Sequence, residues 1–306
     1  MSSSISSAES EPLINQNHSL QAYYASLESR IGYRLVLGGT RHFGLYPAGT
    51  YWPFPISKAL RAMEDHLIDT LDLEKGSEIL DAGCGAGYVA VHLAEQGYRV
   101  HGIDVVDHHI VKARRNAEAH GLQQKITITK GDYHHLSAFS NDSFDGAYTM
   151  ETFVHATEPE VAAAEFFRVL RPGGSIAMYE YDHVDFSTEP AEVRNSWTTI
   201  NKHASMPAYD RFQRGVLKGI LEDAGFENVE IRDLSDNVLP MLRLFYILAF
   251  IPYLIIAFLG LKARFINTVA GYEGYIYRDA VRYIAVSAKK PSTGALAESR
   301  EEKKLR

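Results

Sequence analysis

Between Glu78 and Tyr181, short apolar runs alternate with amphipathic stretches in a regular order. "EILDA" reads as a strand entering "GCGAG", followed by the helical "YVAVHLAEQG" and a second strand in "YRVHGID". "ITITKGDYHHL" supplies a third strand and "FDGAYTM" a fourth; a helix and an "LRPGG" turn then lead into a fifth, "SIAMYEY". Strands that alternate with helices imply an open α/β fold. Further on, the spacing of Phe212, Val216, Leu217, Ile220 and Leu221 predicts a helix over 209–226, stopped by Gly225. "NVEIRDLS" predicts a sixth strand, and a seventh is predicted from about Arg282 to Ala288. Between these two lies "LFYILAFIPYLIIAFLGL", Leu244 to Leu261, which contains no charged residue.

The turn after the first strand carries the first chemical signal. Gly83, Gly85 and Gly87 allow the backbone to turn tightly and to approach a ligand, and the N–H groups opening the next helix attract an anion. Asp104 ends the second strand 23 residues after Asp81, where a carboxylate can accept hydrogen bonds from both hydroxyls of a ribose. Any adenosine cofactor fits this much. A dinucleotide turn needs G-x-G-x-x-G, and here Tyr88 stands where its third glycine belongs, which makes NAD the lesser reading.

"DAGCGAG" resembles the D-x-G-x-G-x-G turn of class I S-adenosylmethionine-dependent methyltransferases, and the later segments follow in the order of that family. "YTMETFVHATEPEVAAAEFFRVLRPGG" and "MYEYDHVDF" further resemble the sterol C-methyltransferase and tocopherol methyltransferase group. The resemblance implies a Rossmann-like seven-stranded sheet with strand seven antiparallel between strands five and six. It implies S-adenosylmethionine as cofactor, held by Asp81, Gly83, Gly85, Gly87, Asp104, Asp132 and Tyr133, with Asp132 near the adenine amino group. It also places Glu151 in the acceptor pocket and brings an N-terminal cap over the cofactor, in which Tyr23, Tyr24 and His42, together with Tyr181, are expected to line the pocket. The expected organisation is a disordered leader (1–19), a cap (20–75), a cofactor-binding core (76–236), an apolar helical insertion (237–280), a last core strand (281–290) and a flexible tail (291–306).

Methyl transfer is an in-line displacement, so the protein must hold the acceptor close to the methyl carbon, and an ionisable acceptor also needs a base. Glu151, His155 and His183 are the catalytic candidates, because ligands of open α/β sheets bind beyond the carboxyl ends of the strands. Asp182 and Asp185 flank His183 without completing a metal-ligand set, and no metal is expected. The net charge of −7 argues against a nucleic-acid partner, and a single cysteine fits a reducing, cytoplasmic setting.

The apolar run lies between two strands of one sheet, so a single span would strand the seventh on the wrong side of a bilayer. Its 18 residues would reach about 27 Å as a helix against about 30 Å of hydrocarbon, and Pro252 is expected to break it. It is therefore expected to be a lid over a hydrophobic small-molecule substrate. Peripheral membrane contact and a homodimer through residues 244–261 are both open for its outer face. Two functions follow: methyl transfer to a hydrophobic small molecule, or a degenerate chain that binds S-adenosylmethionine without transferring its methyl, as a scaffold or to promote a different reaction.

Overall fold

The computed structural model describes residues 17–26, 28 and 36–292; most of the expected leader and tail lie outside the described residues. Seven strands form one sheet: β1 (Glu78–Ala82), β2 (Arg99–Asp104), β3 (Ile126–Lys130), β4 (Phe144–Met150), β5 (Leu170–His183), β6 (Glu227–Asp233) and β7 (Val281–Lys289). Their order is β3-β2-β1-β4-β5-β7-β6. β7 runs antiparallel to both neighbours, as the sequence implied, with Tyr181 opposite Tyr283.

The helices cover both faces of the sheet. Helix α1 (His18–Ala25) precedes α2 (Ile56–Leu71), whose buried Met63, Leu67 and Leu71 recur at helical spacing. With α3 (Tyr88–Glu95) and α4 (Asp107–Ala119), α2 packs on one face. α5 (Pro159–Val169) and α7 (Val216–Asp223) pack on the other, where Phe166, Leu217 and Leu221 are buried. α6 (Ala191–His203) lies between them in sequence and has no counterpart among the predicted elements. The helix predicted over 209–226 is shorter than expected: Tyr209–Arg211 is a separate 3₁₀ turn, and Gly215, at φ 92°, starts α7.

The insertion is a helical pair, α8 (Ser235–Phe258) and α9 (Ile266–Ile276). α8 runs unbroken through Pro240 and Pro252, contrary to the expected break. Pro252 has no N–H to donate to the Leu248 carbonyl, so the helix forgoes one hydrogen bond there without ending. α9 folds back on α8; a Cβ on Gly271 would stand 3.3 Å from both the Phe245 carbonyl and Ala249 Cβ, so glycine lets the two helices approach without displacing either. A buried Glu273 fastens the pair, accepting from Tyr253 Oη at 2.5 Å, from Lys262 Nζ at 2.7 Å and from Ser196 of α6.

Candidate active site

The strand order reverses between β1 and β4, and a cavity opens beyond the carboxyl ends of these strands. Gly83, Gly85, Asp81, Asp104 and Tyr133 all line it. The N–H groups of Gly83 and Cys84 donate to the Ile103 carbonyl, both at 2.9 Å, which fastens the turn to β2. Gly85 adopts φ 52°, and a Cβ there would meet nothing nearer than Arg41 Cδ at 4.0 Å, so its face is open to the cavity.

Asp104 braces the turn from the next strand, accepting from Gly85 N–H and Val106 N–H at 2.8 Å each, with His109 Nδ1 at 3.2 Å. Burial pushes its carboxyl up, but His109 and these N–H donors outweigh that effect and hold it below its usual range. His109 itself lines the cavity, and its Nε2 makes no hydrogen bond among the described residues. Sequence reasoning missed it; its place in the first turn of α4, five residues after Asp104, was the available signal.

Asp81 is buried, and its Oδ2 has no hydrogen-bond partner among the described residues. Burial pushes its carboxyl up to about 7, eased by the nearby Tyr148 hydroxyl and reinforced by the Asp104 carboxylate. An unpartnered acidic oxygen in this cavity fits a ligand that carries positive charge, and S-adenosylmethionine carries a sulfonium and an ammonium.

Asp132, by contrast, turns away from the cavity. Its Oδ1 accepts from His134 N–H at 2.9 Å and lies 2.6 Å from His134 Nδ1, although its neighbours Gly131 and Tyr133 both line the space.

A second, larger cavity of about 740 Å³ lies beside the first, beneath α8 and α9. Tyr23, Arg41, His42, Glu151, Tyr181 and Met206 line both and form the wall between them. Tyr23 sits on α1 and hydrogen-bonds Asn267 of α9 at 2.7 Å, so the cap and the insertion close over the site together. Tyr24 lines only the first cavity, with the Arg41 guanidinium 4.7 Å from its ring centre.

Glu151 follows β4 at φ 55°, a left-handed conformation that costs a non-glycine residue roughly 1–3 kcal/mol. Three donors hold it there: Phe43 N–H at 2.7 Å and Tyr283 Oη at 3.0 Å on Oε1, and Tyr181 Oη at 2.5 Å on Oε2. Burial raises its carboxyl above the usual range, opposed mainly by the Tyr181 and Phe43 hydrogen bonds. His42 is tied as well, with Nδ1 2.8 Å from the Phe43 carbonyl and Nε2 3.3 Å from Glu64.

His155 lines only the first cavity. Its Nδ1 lies 2.8 Å from the Ser205 carbonyl and its Nε2 2.9 Å from Tyr24 Oη. Burial lowers its imidazole to about 4, against the opposing Ser205 hydrogen bond. The structure brings His183 to neither cavity. It is buried, stacked on Phe186 with ring centres 4.0 Å apart, and its nitrogens lie 2.5 and 2.9 Å from the Val184 and Tyr209 carbonyls. Asp182 is paired with Arg282. Among the described residues, no group of three His, Cys, Asp or Glu side chains is placed to hold a metal.

One supporting residue went unrecognised in the sequence. Glu180 is fully buried in β5 and accepts from Thr149 Oγ1 and the N–H groups of Thr152, Phe153 and Val154, so it shapes the turn that presents Glu151. Burial pushes its carboxyl up to about 8 despite these donors.

A glycine turn braced by the second strand's aspartate, in a sheet closed by an antiparallel seventh strand, defines the class I S-adenosylmethionine-dependent methyltransferase fold, and the chain belongs to that family. S-adenosylmethionine is its cofactor. A family profile described as "Methyltransferase domain" matches residues 80–178. Among individual relatives, the S-adenosyl-L-methionine-dependent Diels-Alderase iccD of Talaromyces variabilis is 45% identical over 276 residues, covering 89% of this chain and 94% of that protein. The sterol 24-C-methyltransferase erg6 of Aspergillus fumigatus is 30% identical over 220 residues, covering 71% of this chain but only 56% of its own length. In three dimensions the chain is similar to the [4+2]-cyclase SpnF, with a TM-score of 0.73 at 22% identity, covering 92% of this chain and 98% of that one. The resemblance to the sterol methyltransferase group is thereby shown.

The state of Asp81 makes cofactor affinity pH-dependent. A cationic ligand favours the carboxylate, so binding is expected to tighten as pH rises through about 7, roughly tenfold between pH 6 and 8. Calorimetric titration with S-adenosylmethionine across this range, repeated with Asp81→Asn, checks it; the variant should show a flat profile.

Proposed function

We propose that this chain is an S-adenosylmethionine-dependent [4+2] cyclase that folds a hydrophobic polyene in the larger cavity and leaves the cofactor's methyl group in place. The observation that carries this reading is the wall between the cavities. Its proton acceptors, Glu151 and His42, are both occupied by hydrogen bonds within the protein. A Diels–Alder closure converts three π bonds into two carbon–carbon σ bonds and one new π bond, gains and loses no atoms, and needs no proton acceptor. What it needs is an apolar space that holds diene and dienophile face to face. Leu37, Phe43, Trp197, Ile200 and the inner side of α8 supply such a surface. The identity to a Diels-Alderase along nearly the whole chain supports the same reading.

When bound, S-adenosylmethionine supplies a fixed positive charge beside the cavity. The chain's own groups do the rest. Asp81, Asp104, Gly85 and His109 hold the cofactor, while Tyr23 and the insertion exclude water. The hydroxyls of Tyr181 and Tyr283 fix Glu151, so that its carboxylate presents an immobile dipole to the substrate.

Methyl transfer is the second reading. Its support is the position of the strained Glu151 at the end of β4, where the sequence resemblance puts an acceptor-pocket carboxylate.

One experiment separates the two. The purified chain is incubated with methyl-labelled S-adenosylmethionine and linear polyenes that carry a tethered dienophile. Cyclisation gives an unlabelled product of unchanged mass with the cofactor recovered intact, and sinefungin, which is cationic but has no methyl to transfer, should sustain it. A labelled product formed with equimolar S-adenosylhomocysteine would establish transfer and reject the cyclase.

A further inference from the structure

The outer side of α8 is a continuous apolar stripe. Ile247, Ile251, Leu254 and Phe258 follow Arg243 at intervals of four, four, three and four, which keeps them on one helix face, and all are exposed, Ile251 by 60% and Phe258 by 90%. The stripe continues past the start of the helix pair. Arg243 donates to the Tyr51 carbonyl at 2.6 Å, its guanidinium lies 4.2 Å from the Tyr51 ring centre, and Trp52 and Phe54 beside it are about two-thirds exposed. So large an exposed apolar surface marks a docking site.

Charge decides what docks there. No Asp or Glu occurs from Asn237 to Tyr272, while Arg243 stands at one end of the stripe and Arg264 at the other, beside Lys262, whose charge is taken up by Glu273, in a chain whose net charge is −7. Exposed indole and phenol rings, cations at both ends and aliphatic side chains between them match the head-group boundary of a bilayer with anionic lipids. A second copy of the chain would bring the same cations against each other. α8 is long and apolar enough to span a membrane, but the pairing of β6 and β7 on either side of the insertion excludes a single crossing, α9 with 11 residues is too short to return across a bilayer, and the buried Val238, Met241, Ala249 and Ile256 hold α8 against the domain.

We propose that this face docks on an anionic lipid bilayer with α8 in the plane of the interface, so that the larger cavity takes its ligand from the acyl phase. Leu248 marks the entry: it is 50% exposed on the membrane side and also lines the cavity, while Ala249 and Pro252 line it from the inner side of the helix. The proposal does not depend on which reaction the cavity hosts.

Flotation of the full-length chain with phosphatidylcholine vesicles, with and without phosphatidylserine, tests it. The protein should float with the phosphatidylserine vesicles and be released in part by salt. The double variant Ile251→Asp, Phe258→Asp should lower the bound fraction at least about tenfold, because it puts two negative charges on the exposed stripe that enters the bilayer. Melting temperature and S-adenosylhomocysteine binding should stay unchanged, since neither side chain touches the core or the cofactor cavity. Failure to float with either vesicle overturns the proposal. So does a wild-type dimer in light scattering that the double variant dissociates, which would assign the face to a second copy.

Discussion

Gly83→Ala is expected to abolish measurable cofactor binding, an affinity loss of at least about a hundredfold, or about 2.7 kcal/mol. Gly83 adopts φ 101°, where an L side chain is strained before any contact is considered. A Cβ there would stand 2.3 Å from Thr152 Oγ1 and 2.8 Å from its Cγ2. Thr152 cannot retreat freely, because its N–H is held by Glu180 at 3.1 Å. The clash therefore moves either the glycine turn or the strand-four turn, and both border the cofactor cavity. Gly85→Ala is the instructive control: its φ of 52° costs an alanine about 1 kcal/mol, but with open space in front of it the variant should still fold, and it should weaken cofactor binding because its methyl group intrudes on the cavity itself. Thr152→Gly in the Gly83→Ala background should restore part of the affinity. Calorimetric titration with S-adenosylhomocysteine measures all three.

Glu180→Ala is expected to be the most destabilising single substitution in the strand-four turn. It leaves three N–H groups and a threonine hydroxyl without their acceptor in a fully buried place. At about 1–3 kcal/mol for each unsatisfied group that cannot find water, the loss should reach about 3–5 kcal/mol. Thermal unfolding should shift downward by roughly 6–10 °C. Glu180→Gln keeps an acceptor on the carboxyl's Oε1 side and should cost much less. Because burial pushes the folded carboxyl up to about 8, above its unfolded value, its contribution is fully present below the unfolded value and is lost as pH rises through about 8. Wild-type stability should therefore fall between about pH 5 and 9, and Glu180→Gln should flatten that slope.

These two residues also show which parts of the molecule the sequence discloses. Gly83, Gly85 and Asp104 were legible because a βαβ unit is local: the turn, the helix that follows and the next strand's carboxylate recur at spacings set by backbone geometry. The antiparallel seventh strand followed from the family resemblance. Glu180 was hidden because its partners, Thr149 on β4 and Thr152 to Val154 in the turn after it, lie 26 to 31 residues away, and no local pattern distinguishes it from its neighbours in "MYEYDH". Asp132 and His183 show the converse. Their positions at strand ends place them near the site, yet a neighbouring histidine turns one aside and Phe186 with two backbone carbonyls retains the other. The unbroken course of α8 through Pro252 was not legible, because an internal proline can either end a helix or cost it one hydrogen bond, and the local sequence does not say which.

The wall between the two cavities is a single layer of side chains, and His42, Glu151 and Tyr181 each present a surface to both. Occupancy on one side is expected to alter the free energy of occupancy on the other, which titration of S-adenosylhomocysteine with and without a hydrophobic ligand would measure. By thermodynamic reciprocity, whatever factor S-adenosylmethionine imposes on the affinity for the hydrophobic ligand, that ligand imposes in turn on the affinity for S-adenosylmethionine. The dissociation constant of S-adenosylmethionine would then report how well each candidate ligand fits the larger cavity.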